Sequence, residues 1–331
     1  MSGVVIAAVI IALMFDFLNG MNDAANSIAT VVSTKVLSPL LAVLWAAFFN
    51  FIAVFIFGVH VATTIGKGIV DPSAINEYII LGALIGAVIW VFTCNRFGMP
   101  ISVSHSLIGG LIGPAILKGG TGVLIHSGIN KILLFIAIAP LTGMTLGFLI
   151  MIIVMIIFRK FSPRRVNSIS RVLQLVSSAV FSIGHGSNDA QKTIGIISIL
   201  LFSTGRLGTE FYIPNWVIFA CYSTIAFGTL FGGWKVIKTL GLRLTHLKPV
   251  QGFCAETAGA IAIIGSTLAG IPVSTTQTIT GAILGVGLTR GVSSVRWGIA
   301  TNIVLAWIFT IPGTMVISGG IYYLISLFLR G

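Results

Sequence analysis

The sequence predicts an all-α polytopic membrane protein built from two inverted-topology repeats, with broken helices and re-entrant half-helix pairs. Hydrophobic residues make up 56% of the 331 residues and charged residues only 8%, whereas soluble domains carry about 25% charged residues. Several apolar runs reach the roughly 20 residues that a helix needs to cross a membrane. Two polar motifs also recur in the same order. So few charges cannot cover a water-facing surface, which excludes a soluble enzyme, a nucleic-acid-binding protein and a disordered protein.

Four apolar runs have the length of a full membrane span. They are residues 39–59, 132–158, 216–234 and 297–327. Residues 3–34 and 172–202 are also long, but each carries glycine and several polar residues near its centre. We therefore expect a helix break in each of these two stretches.

Two regions predict pairs of half-length helices that enter the membrane and return. Residues 78–94 and 101–117 are separated by a segment with Gly98 and Pro100, and residues 255–268 and 273–288 by one with Gly270 and Pro272. Glycine and proline favour a turn over a continuing helix. The alternative is that each pair crosses the membrane fully, which changes the number of crossings and keeps the repeat.

The chain repeats itself in two motifs. Residues 20–30 (GMNDAANSIAT) match residues 186–196 (GSNDAQKTIGI), and residues 100–113 (PISVSHSLIGGLIG) match residues 272–285 (PVSTTQTITGAILG). The second pair shares a Gly-x-x-x-Gly spacing, which is typical of close helix packing. We predict a first repeat over residues 1–160, a basic cytoplasmic linker over 161–171 and a second repeat over 172–331.

The lysines and arginines predict the orientation. If each broken helix crosses once and each half-helix pair returns, each half crosses three times and the second half is inverted. With the linker inside, twelve basic residues lie in inner loops: Lys35, Arg159, Lys160, Arg164, Arg165, Arg171, Lys235, Lys238, Arg243, Lys248, Arg290 and Arg296. Five lie in outer loops: Lys67, Lys118, Lys131, Arg206 and Arg330. This bias favours a multi-pass protein with both termini outside.

The first motif predicts a cation site. An aspartate inside a membrane span costs about 3 kcal/mol and is a functional candidate by default. Asp23 and Asp189 lie at matched positions, and an asparagine precedes each. Sodium and other hard cations bind such oxygen ligands. The predicted metal ligands are Asn22, Asp23, Asn26, Asn188 and Asp189. The alternative is that each aspartate caps the helix after the break.

The second motif predicts an anion site. Its hydroxyl residues follow a proline, where a helix begins, and helix N-termini attract anions through unpaired N–H groups. The candidate anion ligands are Ser104, His105, Ser106, Lys192, Thr275, Thr276 and Gln277. The alternative is that the hydroxyls cap or pack their helices, which we favour for Ser102 and Ser274. The residues alone thus predict a secondary transporter for an anion, with cation sites.

At these motifs the chain resembles the inorganic phosphate transporter (PiT) family, which is marked by a duplicated signature of the type G-A-N-D-V-A-N-A. The two copies here read GMNDAANS at residues 20–27 and GSNDAQKT at residues 186–193. Both Asn-Asp pairs are intact, whereas Gln191 and Lys192 depart from the signature. The resemblance implies cation-coupled phosphate uptake across the plasma (inner) membrane. It identifies the predicted anion as inorganic phosphate.

We therefore predict a secondary active transporter that couples phosphate uptake to a cation gradient by alternating access, with sodium favoured over protons. A proton-coupled symporter and an anion channel are the alternatives. We do not expect an enzyme, because adjacent residues such as Ser104 and His105 point away from each other on a helix. The expected partners are phosphate, sodium or protons, and the lipid bilayer, with no nucleic acid and no cofactor beyond co-transported sodium. A homodimer is left open.

Overall fold

The structure is a computed structural model that describes residues 3–208 and 210–330, with residues 66, 67, 72, 329 and 330 described by their backbone alone. This part of the chain forms twelve α-helices, joined by short loops and single 3-10 turns. Their bounds are α1 Gly3–Ser33, α2 Pro39–Ile52, α3 His60–Gly68, α4 Glu77–Phe97, α5 Val103–Gly119, α6 His126–Phe158, α7 Pro163–Ser203, α8 Asn215–Phe231, α9 Trp234–Lys238, α10 Pro249–Leu268, α11 Thr275–Leu288 and α12 Trp297–Arg330.

Five of these helices, α1, α4, α6, α7 and α12, are long and apolar enough to cross a membrane. A sixth candidate span is formed by α8 together with α9 and the π-helical turn Thr239–Arg243. Helix α8 is bent by 64° relative to the segment formed by α9 and this turn. The described residues contain no β-strand and one isolated bridge, between Val70 and Leu124. The prediction of an all-α polytopic membrane protein is confirmed.

Several elements differ in length from the sequence prediction, among them α10, whose 20 residues replace the half-length helix expected at residues 255–268. The run at residues 39–59 gives only the 14-residue helix α2, which continues as a 3-10 turn to Phe55. The half-length helix expected at residues 78–94 is instead α4, whose 21 residues span about 31 Å. Its turn falls where expected, at Gly98, whose φ of 71° suits glycine. The basic residues expected in the linker lie instead at the start of α7, since this helix begins directly after its N-cap residue Ser162.

The predicted helix breaks in α1 and α7 are wrong, since both helices are continuous. The polar side chains at their centres are buried and bond mainly to other side chains, within the same helix or from other helices, so most of them do not compete with the backbone of α1 and α7. The motif glycines serve close packing instead. A Cβ at Gly20 would lie 2.1 Å from the carbonyl oxygen of Ile225, and a Cβ at Gly186 would lie 2.5 Å from that of Asn50.

The Gly-x-x-x-Gly segments pack as predicted, each against the last helix of the other half. In α5, a Cβ at Gly109 would lie 2.5 Å from the carbonyl oxygen of Ile311 in α12. In α11, a Cβ at Gly285 would lie 2.0 Å from the carbonyl oxygen of Met144 in α6. The helices of the second motif are therefore held at backbone contact by helices from the opposite half.

We expect Gly285→Ala to destabilise the protein by about 1–3 kcal/mol, because the added methyl group overlaps a backbone carbonyl that cannot move freely. The matched control is Gly320→Ala in α12, where a Cβ meets nothing within 4 Å and the better helix propensity of alanine is gained. Thermal unfolding in detergent should show a lower Tm for Gly285→Ala alone. Equal shifts in both variants would contradict the packing role.

Candidate cation and anion site

The motif aspartates of α1 and α7 meet in the interior. Asp23 and Asp189 are 2% and 1% exposed. The hydroxyl of Thr275, at the start of α11, lies 3.3 Å from Oδ2 of Asp23 and 3.1 Å from Oδ2 of Asp189. One hydroxyl hydrogen can serve only one of these oxygens at a time. The two carboxylates therefore share a single neutral donor at this point, which favours a positive charge between them.

His185 completes this cluster on the side of α7. Its Nε2 lies 3.2 Å from Oδ2 of Asp189 and 4.0 Å from Oδ2 of Asp23. Ligand atoms of Asp23, His185 and Asp189 all lie within 4.8 Å of one another, close enough to hold one metal ion. The sequence analysis assigns no role to His185, which directly precedes the repeated segment 186–196, although its position one turn before Asp189 is a usable signal.

Asn50 of α2 orients the imidazole. The Thr229 hydroxyl donates to the carbonyl of Ile225, so it accepts from Nδ2 of Asn50 at 3.0 Å. This leaves Oδ1 of Asn50 facing Nδ1 of His185 at 3.1 Å. An amide oxygen only accepts, so Nδ1 carries a hydrogen. Nε2 therefore presents either a lone pair to a cation or a second N–H to the carboxylates. Asn50 lies outside both motifs, so the repeat gave no signal for it.

The predicted asparagine ligands take two orientations. Nδ2 of Asn22 donates to Asp23 Oδ1 at 2.7 Å, and Nδ2 of Asn26 donates to the Thr276 hydroxyl at 2.9 Å. Asn188 instead contacts α10, with Nδ2 donating to the Thr267 hydroxyl at 3.0 Å. In the described part of the chain, the Oδ1 atoms of all three accept no hydrogen bond. Buried acceptors without partners are costly, and a hard cation suits them.

Lys192 lies on the opposite side of Asp189. Its ammonium donates to Oδ1 of Asp189, to the hydroxyl of Ser104 and, at 2.9 Å, to the carbonyl oxygen of Val273. The side chain is only 2% exposed. An ammonium has three N–H donors, so protein oxygens use all of them. Lys192 thereby joins the start of α5 to the segment before α11.

Helices α5 and α11 both begin at this centre. Ser102 and Ser274 act as N-caps, because their hydroxyls accept from the amides of His105 and Gln277, as expected. The Ser106 hydroxyl returns to the carbonyl of Ser102 at 3.3 Å. By contrast, Nδ1 of His105 and both amide atoms of Gln277 are buried and have no hydrogen-bond partner among the described residues. These unpaired groups suit a polar ligand beside the helix N-termini.

Two other buried carboxylates lie outside this arrangement. Asp16 accepts from the Thr193 hydroxyl at 2.8 Å. Glu256 accepts from Gln174 at 3.1 Å and from the hydroxyls of Thr30 and Ser177. Glu256 therefore has a hydrogen-bonded setting of its own and is separate from the motif centre.

A buried cluster of charges beside helix N-termini, in a protein with many membrane-spanning helices, is typical of membrane transport proteins. Residues 19–165 and 159–318 match the sequence model of the Phosphate transporter family. The chain belongs to this family, whose members are transporters and not enzymes.

Similar proteins cover nearly the whole chain. A "Probable low-affinity inorganic phosphate transporter" of Rhizobium meliloti is 53% identical over 96% of this chain and 95% of its own length. One of Bacillus subtilis with the same description is 40% identical, over 97% of both chains. A solved structure described as "The sodium-dependent phosphate transporter" has a TM-score of 0.91 at 25% identity and covers 98% of this chain and 99% of its own.

We expect sodium to stabilise the purified protein, because a cation between Asp23 and Asp189 relieves the repulsion of their carboxylates. Replacing choline chloride with sodium chloride should raise the Tm, and a ligand at about 100 times its Kd stabilises by about 2.7 kcal/mol. Asp23→Asn should lose most of this sodium-dependent shift.

The control for this measurement is Asp71→Asn, which changes an exposed carboxylate in the loop before α4. It should keep the wild-type sodium shift. A full sodium shift in Asp23→Asn would remove this residue from the cation site.

Proposed function

We propose that this protein is a secondary active transporter that couples phosphate uptake to a cation gradient by alternating access, with sodium as the favoured cation. One observation carries the proposal. The aspartates of both signature copies meet in one buried centre, at which the two hydroxyl-rich helices also begin. This centre combines oxygen ligands for a cation with N-termini for an anion.

The cation is assigned to the space between Asp23 and Asp189. Oδ2 of each carboxylate faces this space, and the Oδ1 atoms of Asn22 and Asn26 are further candidate ligands from α1. Asn188 is proposed as a ligand from α7, and its amide oxygen is the unpaired atom that supports this role. The carboxylate and amide oxygens of this set are ligands that sodium prefers, and Nε2 of His185 faces the same carboxylates from the side of α7.

The phosphate is assigned to the N-termini of α5 and α11. Backbone N–H groups and the hydroxyls of Ser104, Thr275 and Thr276 supply donors there. Nδ1 of His105 and the side-chain amide of Gln277 add polar groups that have no hydrogen-bond partner among the described residues. Lys192 and Ser106 complete the proposed set. Lys192 acts through its charge, whereas the N–H and the hydroxyl of Ser106 both donate to the carbonyl oxygen of Ser102, so Ser106 has its hydroxyl oxygen left to accept the phosphate proton.

The charge of the centre gives the physical reason for coupling. Asp23 and Asp189 carry two negative charges, and Lys192 offsets one. Hydrogen phosphate adds up to two more, and burying uncompensated charge costs several kcal/mol per ion. Phosphate therefore binds well only when cations are bound, and by linkage phosphate raises the affinity for those cations. The name of the similar solved structure, which specifies sodium, supports this choice of ion.

We also propose that the two halves, residues 1–160 and 172–331, are inverted repeats in the plasma (inner) membrane, with the basic segment 161–171 in the cytoplasm. The matched packing of α5 on α12 and of α11 on α6 supports the repeat. The distribution of basic residues supports termini on the outer side. Met1, Gly331 and the side chains of Lys67 and Arg330 lie outside the described residues.

Uptake into proteoliposomes tests the proposed function. An inward sodium gradient should raise the initial rate of labelled phosphate uptake at least about tenfold over choline at low phosphate, the change expected if bound sodium strengthens phosphate binding by about 1.4 kcal/mol. The same vesicles with only a proton gradient test the proton-coupled alternative. Non-saturating uptake that ignores both gradients would indicate an anion channel and contradict coupled transport.

Cysteine labelling tests the inverted arrangement. Lys118, in the last turn of α5, and Arg290, just after α11, occupy matched places in the two repeats, and both are exposed. In a background without the free, buried Cys94, Cys221 and Cys254, an impermeant maleimide should label Lys118→Cys from outside and Arg290→Cys only after the membrane is opened. Labelling of both from one side would contradict the inversion.

A further inference from the structure

Asn26 and Lys192 make equivalent contacts in the two halves. They lie at matched positions of the repeated signature, on α1 and α7. Nδ2 of Asn26 donates to the hydroxyl of Thr276, in the first turn of α11. Nζ of Lys192 donates to the hydroxyl of Ser104, in the first turn of α5, and Ser104 matches Thr276 in the second motif. The contact with a hydroxyl of the second motif is thus present in both halves, but its donor is a neutral amide in one half and a charged ammonium in the other.

The partners of Lys192 are the ligands that a hard cation would use. Its ammonium contacts a carboxylate oxygen of Asp189, a hydroxyl oxygen of Ser104 and the backbone carbonyl oxygen of Val273. These three atoms come from three separate segments: α7, the start of α5 and the segment before α11. Carboxylate, hydroxyl and carbonyl oxygens are typical ligands of oxygen-coordinated cations.

The corresponding place in the first half has no basic side chain. Oδ1 of Asp23 is approached by Nδ2 of Asn22 at 2.7 Å and by the hydroxyl of Thr276 at 3.4 Å, and both are neutral donors. The Oδ1 atom of Asn26 adds a buried acceptor without a partner among the described residues. Oδ1 of Asp23 is therefore met by neutral donors, whereas the charge of Asp189 is matched by an ammonium on its own helix.

We propose that Lys192 is a built-in cation that occupies one of two repeat-related cation positions, so that each transport cycle takes up one external cation fewer than a protein with asparagine at this position. The inference rests on the proposed function, because it counts the cations of that cycle. Oδ1 of Asp189 is held by the ammonium, while its Oδ2 faces Asp23. Asp189 can therefore serve the built-in cation and the exchangeable cation together. Lys192 then acts on phosphate through its charge and not as a direct donor.

The direct test is Lys192→Asn, which gives the second signature the residue of the first. In equilibrium binding with labelled sodium, the purified variant should bind one more sodium ion per chain than the wild type. In proteoliposomes, its ratio of labelled sodium to labelled phosphate taken up should rise by one. The matched control is Lys118→Asn, which makes the same change at an exposed lysine that contacts the carbonyl of Ala74, and both counts should stay at the wild-type value.

A second variant separates the loss of charge from the gain of a ligand. Lys192→Met removes the ammonium and supplies no oxygen, so an external cation at this place would lack the asparagine ligand. We expect Lys192→Met to slow phosphate uptake at least about tenfold at a sodium concentration where Lys192→Asn is active. Equal sodium counts and equal uptake in both variants would overturn the proposal.

The reverse substitution keeps the test decisive if Lys192→Asn does not fold. Asn26→Lys places an ammonium in the first half, and the sodium count should fall by one relative to the wild type. An unchanged count in this folded variant would overturn the proposal. If the wild type takes up no phosphate under any gradient, the proposed function fails, while the difference in bound sodium between variants still decides the role of Lys192.

Discussion

The balance of buried charge is the constraint on which this structure depends. Asp23, Asp189 and Lys192 are each 2% exposed or less, in a protein whose composition suits a lipid environment. Charges without partners are unstable in such surroundings. The surrounding side chains supply such partners. The ammonium of Lys192 contacts Asp189, and the Thr275 hydroxyl lies between both aspartates. Asn50 fixes the imidazole of His185. These side chains come from four helices, α1, α2, α7 and α11, so assembling the centre requires both halves of the chain.

Close helix contact makes this assembly geometrically feasible. Gly20 and Gly186, which open the two signatures, lie against the carbonyl oxygens of Ile225 and Asn50. A larger residue would push α8 or α2 outward. Asn50 is itself the residue that orients His185, so the contact at Gly186 also sets the position of a group at the centre. The signature glycines and the signature aspartates are therefore parts of one arrangement, in which packing places the charges.

The sequence predicted the fold class and the convergence of the motifs, because repeats and hydrophobic runs are local signals. The sequence prediction failed where the partners of polar side chains determine whether the backbone stays helical. Asn22, Asp23 and Asn26 suggested a broken helix, yet their partners in α1 and α11 allow α1 to remain continuous. Asn50 could not be found, because its role depends on a contact with His185 that is distant in sequence. The orientation of Asn188 towards Thr267 likewise depends on the packing of α7 on α10.

The positions at which the two repeats differ determine the charge of the buried centre. A pair of identical halves would place two equal negative sites in one small volume, and two cations would then be needed before an anion could approach. Replacing Asn26 by its counterpart Lys192 neutralises one site within the chain and leaves the other for exchange. The replacement of His105 by Gln277 at matched helix starts makes the two ends of the anion site differ as well. The repeat supplies a shared scaffold, and the positions at which the halves differ set how many charges move with each anion.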